Sequence, residues 1–299
     1  MEVTTFVYGI YPRSDRLRLD YGRFERGLLS SEKLKTIIKE EKDRFYDLTD
    51  GIGMVTDPLF NWYDIFRPVA LSVEGINLGP LRRYGETNTF YREPIIAGKG
   101  GLRFNALSDH EFNENPPFPM FYWGSRNILP IFPSPVAMYN MSFTDRNVNL
   151  HEFSENLLEI YAKLADEIGS KNIVIFSPKI GEHEIEEIEN IGPKHGIILV
   201  SPGGIGKSDF DNTSLKFHSI IVNNIRDLEL AANHSRMPGL GILDAHNTRV
   251  ETKEEIKKHV EAIENTGILK NIVLTHNDYM DFLPRSIADR KVKILQEVN

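Results

Sequence analysis

The chain has 299 residues, of which 40% are apolar, 26% charged and 10% aromatic, with a formal net charge of −8. This composition excludes a disordered, collagen-like or membrane-spanning chain as the main state, and the length fits two domains or one barrel with a full core. The charge sets up no long-range positive field for nucleic acid or an anionic membrane. The absence of cysteine excludes disulfides, iron–sulfur ligation, thiol nucleophiles and thiolate zinc sites. The N-terminus lacks a basic segment followed by a long apolar run, and no run approaches the roughly 20 residues a spanning helix needs. The sequence therefore reads as soluble and cytoplasmic, with neither nucleic acid nor membrane as a partner.

Eight short apolar runs read as buried parallel strands: Phe6–Ile10, Ile52–Val55, Asn127–Ile131, Ile173–Phe176, Gly196–Val200, His218–Val222, Gly239–Leu243 and Ile272–Thr275. Helical patterns stand between them. Ser30 or Ser31 caps a helix whose buried side is Leu34, Ile37, Ile38 and Phe45. After Asn149, the residues Phe153, Leu157, Tyr161, Leu164 and Ile168 share one face. Thr252-Lys-Glu-Glu255 is a capping box opening a helix with Ile256, Val260 and Ile263 on one side. Pro284 fits the first position of a helix over Arg285–Gln296. Eight strands alternating with helices predict an α/β fold, a single (β/α)₈ TIM barrel over residues 1–299. From about Val69 to Arg126 a Gly-, Pro- and Asn-rich stretch breaks the alternation. It predicts an insertion, a β-hairpin with a Pro-rich return, at the barrel mouth where ligands bind.

Several groups of residues have the types that chemistry needs. Ser201-Pro-Gly-Gly-Ile-Gly-Lys-Ser208 follows a strand and ends as a phosphate-cradling loop would, yet Ser201 stands where that motif needs Gly and no helical pattern follows. It reads as a Gly-rich barrel loop. Asp244 with His246 and His276 with Asp278 stand at the ends of the seventh and eighth strands. They either converge on one rim, as acid–base or metal-binding groups, or bond loop backbone. Arg13, Arg16 and Arg18 cluster after the first strand, suited to a polycarboxylate or to salt bridges with the acidic helix that follows. Trp62, Asp64, Asn88, Tyr91 and Arg92 interleave aromatic and polar groups, as in a ligand pocket or an interface centre; packing of the insertion explains them equally well.

Taken in order, these segments resemble the cobalamin-independent methionine synthase family, in particular short archaeal-type sequences similar to its N-terminal half. Thr4-Thr-Phe-Val-Tyr-Gly-Ile-Tyr-Pro-Arg13 is similar to the family's opening Thr-Thr-x-x-Gly-Ser-x-Pro-Arg. Pro135-Val-Ala-Met-Tyr-Asn-Met-Ser-Phe143 resembles Pro-Val-Thr-Ile-Leu-Asn-Trp-Ser-Phe, and Gly239-Leu-Gly-Ile-Leu-Asp244 resembles Gly-x-Gly-Val-x-Asp. Leu283-Pro-Arg-Ser-Ile-Ala288 is similar to the segment after the family's last zinc ligand.

The resemblance implies a barrel that, in the family, binds zinc through His, Glu and two Cys and methylates homocysteine from a polyglutamylated methyltetrahydropterin. Carried over, those four ligands fall near Val200, Pro202, Asn224 and Asp278. The homocysteine-gripping Asp-Glu-Pro falls on Ser177-Pro-Lys179, and the pterin-stacking aromatic on Met141. The implied protein is a stand-alone N-terminal-type barrel that holds no metal or cofactor of its own. It would assist a separate zinc-bearing catalytic chain and bind the polyglutamylated pterin through its arginines. The alternatives are an independent enzyme using Asp244, His246, His276 and Asp278, or a purely structural partner.

Overall fold

Each of the eight apolar runs contributes to a strand that pairs in parallel with a neighbour in the computed structural model. The structure describes residues 1–84, 90–96, 102–104, 128–145, 147–181, 183–189, 195–211, 213–267 and 269–298. In chain order the elements are β1 (Glu2–Val7), α1 (Asp15–Glu25), α2 (Ser31–Leu48), β2 (Met54–Val55), α3 (Phe66–Ser72), β3 (Val73–Glu74), β4 (Ile76–Arg83) and β5 (Phe90–Ile96). There follow β6 (Arg103–Phe104), β7 (Ile131–Pro133), α4 (Pro135–Asn140), β8 (Phe143–Thr144), α5 (Leu150–Glu167), β9 (Asn172–Phe176), α6 (Glu184–Glu189) and β10 (Gly196–Val200). The chain ends with β11 (Phe217–Val222), α7 (Leu228–His234), β12 (Ser235–Leu243), α8 (Lys253–Glu264), β13 (Asn271–His276) and α9 (Arg285–Gln296). This is an α/β fold built on eight parallel strands. No helix among the described residues is long and apolar enough to cross a membrane.

Contacts divide the described residues into two compact units, one of residues 1–63 and 241–298, the other of described residues within 64–104 and 128–240. In the first unit β1 lies between β2 and β13, in register Phe6↔Met54 and Glu2↔Asn271. In the second, β9 pairs with β7 and β10, and β11 with β10 and β12. Ile173, Val174, Ile175, Ile198 and Leu199 are all fully buried, as parallel strands covered on both faces must be. The described part of the insertion holds the end of α3, an antiparallel β4–β5 pair with a register shift between Leu78 and Leu81, and a short antiparallel β3–β6 pair.

The helix signals act locally as their chemistry dictates. Ser30, Asn149 and Thr252 each accept a backbone N–H of their helix's first turn, and Thr252 with Glu255 completes a capping box. Ser30, not Ser31, is the cap of α2. Pro284 sits one residue outside α9, as its cap. β1 begins four residues before the expected Phe6 because it takes its register from β13, and it stops short of Gly9, whose φ is +74°. β7 ends at Pro133, two residues beyond the expected run, and the Pro130 carbonyl just before it accepts the Val174 N–H.

One buried ion pair anchors the first unit. Lys42 Nζ on α2 meets Asp57 Oδ2 at 2.6 Å, with the two side chains 2% and 0% exposed, and Asp57 Oδ1 accepts the Leu59 N–H at 2.8 Å. Removing one partner of a buried pair strands the other charge, which costs about 3–5 kcal/mol. Lys42→Met should therefore lower the urea midpoint, with a loss of unfolding free energy of that order. The double variant Lys42→Met/Asp57→Asn should recover part of the loss, because it removes the stranded charge. Equal midpoints for Lys42→Met and the parent would show that the pair contributes nothing.

Candidate functional site

The strand ends of the first unit gather the polar groups. At the end of β13, His276 is fully buried and both ring nitrogens are engaged. The Tyr8 N–H donates to Nε2 at 3.1 Å, and Nδ1 lies 2.7 Å from the Asp278 carbonyl. A nitrogen that accepts carries no proton, so the proton sits on Nδ1 and donates to that carbonyl. The Tyr8 ring stacks on the imidazole at 4.1 Å and 17°, and its hydroxyl donates to the His276 carbonyl at 3.1 Å. Burial pushes the His276 imidazole down to about 4, so it is neutral. Neither nitrogen is open to a ligand in this arrangement.

Asp244 is likewise built into its loop. Its Oδ1 accepts the His246 N–H at 3.0 Å and Asn277 Nδ2–H at 3.3 Å, while Asn277 Oδ1 accepts the Ala245 N–H at 2.8 Å. His246 and Asp278 meet directly: Nε2 lies 3.3 Å from Oδ2, with the side chains 56% and 29% exposed. The Tyr279 N–H donates to Asp278 Oδ1 at 2.7 Å. Burial raises the Asp278 carboxyl, while that N–H and His246 pull it down. Three residues on, Asp281 is pushed up to about 7, first by burial and then by the Asp278 charge, and its Oδ1 is buried without a hydrogen-bond partner. The strand ends thus hold a histidine–carboxylate pair beside a carboxylic acid poised near neutrality, the combination proton transfer uses. Sequence reasoning missed Asp281; its signal was a second acid three residues after Asp278 in the same strand-end loop.

The arginine cluster divides. Arg13 donates from Nε to the Phe60 carbonyl at 2.7 Å and from Nη2 to the Trp62 carbonyl at 3.1 Å. Its guanidinium lies between the Tyr21 and Tyr63 rings, 4.1 Å from each centroid, so it clamps its own loop. Arg16 and Arg18 are exposed and bridge to Asp20 and Glu40, and to Asp15. Trp62 is buried, against its expected place at an interface centre. The loop clamped by Arg13 turns the ring inward.

In the second unit, Asp64 Oδ1 accepts the Arg67 N–H at 2.7 Å at the start of α3, and burial raises its carboxyl. The Arg92 N–H reaches its other oxygen at 3.4 Å. Tyr91 is buried with its hydroxyl donating to the Met141 carbonyl at 3.1 Å, and Arg92 Nη1 donates to the Gly79 carbonyl at 3.3 Å. These contacts pack β5 against its surroundings, so Tyr91 offers no free ring to a partner. Asn88 lies outside the described residues.

The Gly-rich loop at 201–208 spends backbone donors on neighbouring protein groups. Gly204 N–H donates to the Ser201 carbonyl, Gly203 N–H to the Pro178 carbonyl, and Gly206 N–H to Asp209 Oδ2. A short 3-10 turn, Lys207–Phe210, follows in place of the α-helix that a phosphate site needs.

At the positions to which the resemblance carries the zinc ligands, the side chains lack a metal donor or are bonded elsewhere. Val200 and Pro202 carry no donor atom, and the Asn224 side chain caps the next turn by accepting the Arg226 N–H at 3.0 Å. Asp278 is already held by Tyr279 and His246. Among the described residues, no three His, Asp or Glu side chains are grouped as a metal ion would require.

Parallel strands alternating with helices, with polar groups collected at strand ends, define an α/β protein of the β/α-repeat class. No family model matches the chain. It is similar to the methionine synthase of Sulfurisphaera tokodaii, 24% identical over 317 residues covering 96% of this chain and 89% of the relative. It is also similar to that of Saccharolobus solfataricus, 24% identical over 317 residues covering 98% and 92%. Among solved structures, the B12-independent methionine synthase from Shewanella sp. W3-18-1 in complex with selenomethionine has a TM-score of 0.68 at 14% identity, covering 91% of this chain and 89% of that one. The putative vitamin-B12 independent methionine synthase from Listeria monocytogenes has a TM-score of 0.68 at 16% identity, covering 99% and 98%. The solved structures support the fold. The sequence relatives bear out the resemblance to methionine synthases over nearly the whole chain.

His276 and Asp281 act in opposite directions on stability. Unfolded, His276 takes its proton near 6.5; folded, only near 4. Its contribution, about 3 kcal/mol, is full above 6.5 and lost as pH falls toward 4. Asp281, raised from 3.8 to about 7, contributes fully below 3.8 and loses that contribution as pH rises through 7. Asp281→Asn keeps the neutral form, so it should raise stability at pH 7.5, on the order of 1–3 kcal/mol, and change little at pH 4. Urea titrations at both pH values decide this; a gain of equal size at both would refute the assignment.

Proposed function

We propose that this chain serves methionine synthesis as a stand-alone barrel of the N-terminal type, assisting methyl transfer to homocysteine by a separate zinc-bearing chain in the cytoplasm. On this reading the eight parallel strands close into a (β/α)₈ barrel. The observation that carries it is the conjunction of near end-to-end similarity to methionine synthases with a sequence that has no cysteine and no donor at Val200 or Pro202. Fold and kinship point to the pathway, and the missing donors point away from chemistry by this chain alone.

The isolated protein, supplied with methyltetrahydropterin, homocysteine and zinc, should give no methionine above a zinc-free control. Mixed with the host's zinc-bearing methionine synthase chain, it should co-elute and raise that chain's rate. Turnover by the isolated protein would refute the subunit reading, and so would the absence of both co-elution and rate change at micromolar concentrations.

A polyglutamylated donor would engage the exposed Arg16 and Arg18, because Arg13 is committed to its loop. The tail must exchange with the bridges to Asp15, Asp20 and Glu40, which limits each exposed contact to about 1 kcal/mol or less. By calorimetry, a polyglutamyl pterin should bind several-fold tighter than the monoglutamyl form. Arg16→Ala should remove most of that difference, whereas equal binding of the two forms by the parent would show that no tail site exists.

A second reading, an independent enzyme on the same scaffold, is favoured by one observation. His246 and Asp278 form an accessible pair beside Asp281, whereas His276 and Asp244 are bonded into backbone. The working groups of such an enzyme would be His246, Asp278 and Asp281.

A further inference from the structure

Lys291 is a buried charge that neither reading uses. It lies on α9, its side chain is 0% exposed, and its three ammonium hydrogens match three acceptors. These are the Arg249 carbonyl at 2.6 Å, Glu251 Oε1 at 2.9 Å and Glu251 Oε2 at 2.8 Å. A lysine withdrawn from water is costly unless paired and fully bonded, and all of these partners lie in one segment, the loop from Asp244 to Glu251 that leaves β12.

Glu251 Oε1 also accepts the Asp244 N–H at 2.9 Å, so the loop is closed back on its first residue. From there Asp244 Oδ1 holds the His246 N–H at 3.0 Å. The His246 side chain is 56% exposed, and little packing fixes it. Where the imidazole stands is decided by where the loop backbone is held.

We infer that Lys291, acting through Glu251, is a positioning residue that holds the Asp244–Glu251 loop so that the His246 imidazole stands against Asp278. The inference rests on the reading of His246 and Asp278 as a working pair. Its test needs no substrate, so it can fail while that reading stands.

The experiment follows the Asp278 carboxyl by carbon-13 NMR through a pH titration of the full chain in four proteins: parent, His246→Asn, Lys291→Met, and the double variant. His246 pulls the Asp278 carboxyl down, so His246→Asn in the parent should move its midpoint up. In the Lys291→Met background the same replacement should leave the midpoint in place. Glu251→Gln keeps an acceptor for the Asp244 N–H while removing the charge, and it serves in the same cycle if Lys291→Met does not fold. There the His246 effect should shrink. An undiminished His246 effect in either background overturns the positioning role. No effect in the parent would remove the pair itself, and with it both the second reading and this inference.

Discussion

The strand ends of the first unit depend on one neutral imidazole. His276 must accept from Tyr8 N–H and donate to the Asp278 carbonyl at once, and only the singly protonated ring can do both. That pair of bonds joins the end of β1 to the loop leaving β13, and the stacked Tyr8 ring excludes water from it. With its carbonyl engaged, Asp278 turns its carboxylate toward Tyr279 N–H and His246. The acidic neighbour Asp281 is then brought close enough to feel its charge. A histidine that no longer has a free nitrogen thus arranges those that do the exposed work.

Sequence reasoning reached the α/β class and the eight parallel strands readily because their signals are local. The runs Ile173–Phe176 and Gly196–Val200 are apolar throughout, and the caps at Asn149 and Thr252 follow from side-chain oxygens at a fixed spacing. It located β1 and β7 imperfectly because register is set by a neighbour distant in sequence. The candidate site was half visible. Asp244, His246, His276 and Asp278 were found by their position after strands, but their roles differ by which atom meets which backbone group. His276 and His246 look alike in a sequence; one is buried and bonded at both nitrogens, and the other stands in solvent against a carboxylate. Lys291 and Glu251, 40 residues apart, gave no sign of each other.

The arginines teach a related lesson. Charge density after β1 suggests anion binding, yet a guanidinium has donors enough to serve its own chain first. Arg13 does so, between two tyrosine rings and two carbonyls, and the burial of Trp62 follows from the loop it shapes. Residue types that favour interfaces are the same types that fasten long loops, and only the partner atoms tell the two apart.

Gly9 carries a consequence for how this chain can vary. With φ at +74° and the Tyr279 ring so close that an added Cβ would overlap its Cε1 and Cδ1 atoms, the position refuses a side chain on both conformational and steric grounds. Tyr279 in turn follows Asp278, whose carboxylate its own N–H fixes. The two positions are therefore tied in descent: a lineage that gains any side chain at position 9 must shrink the ring at 279. Paired change at those two sites across relatives, 270 positions apart, would record the tie.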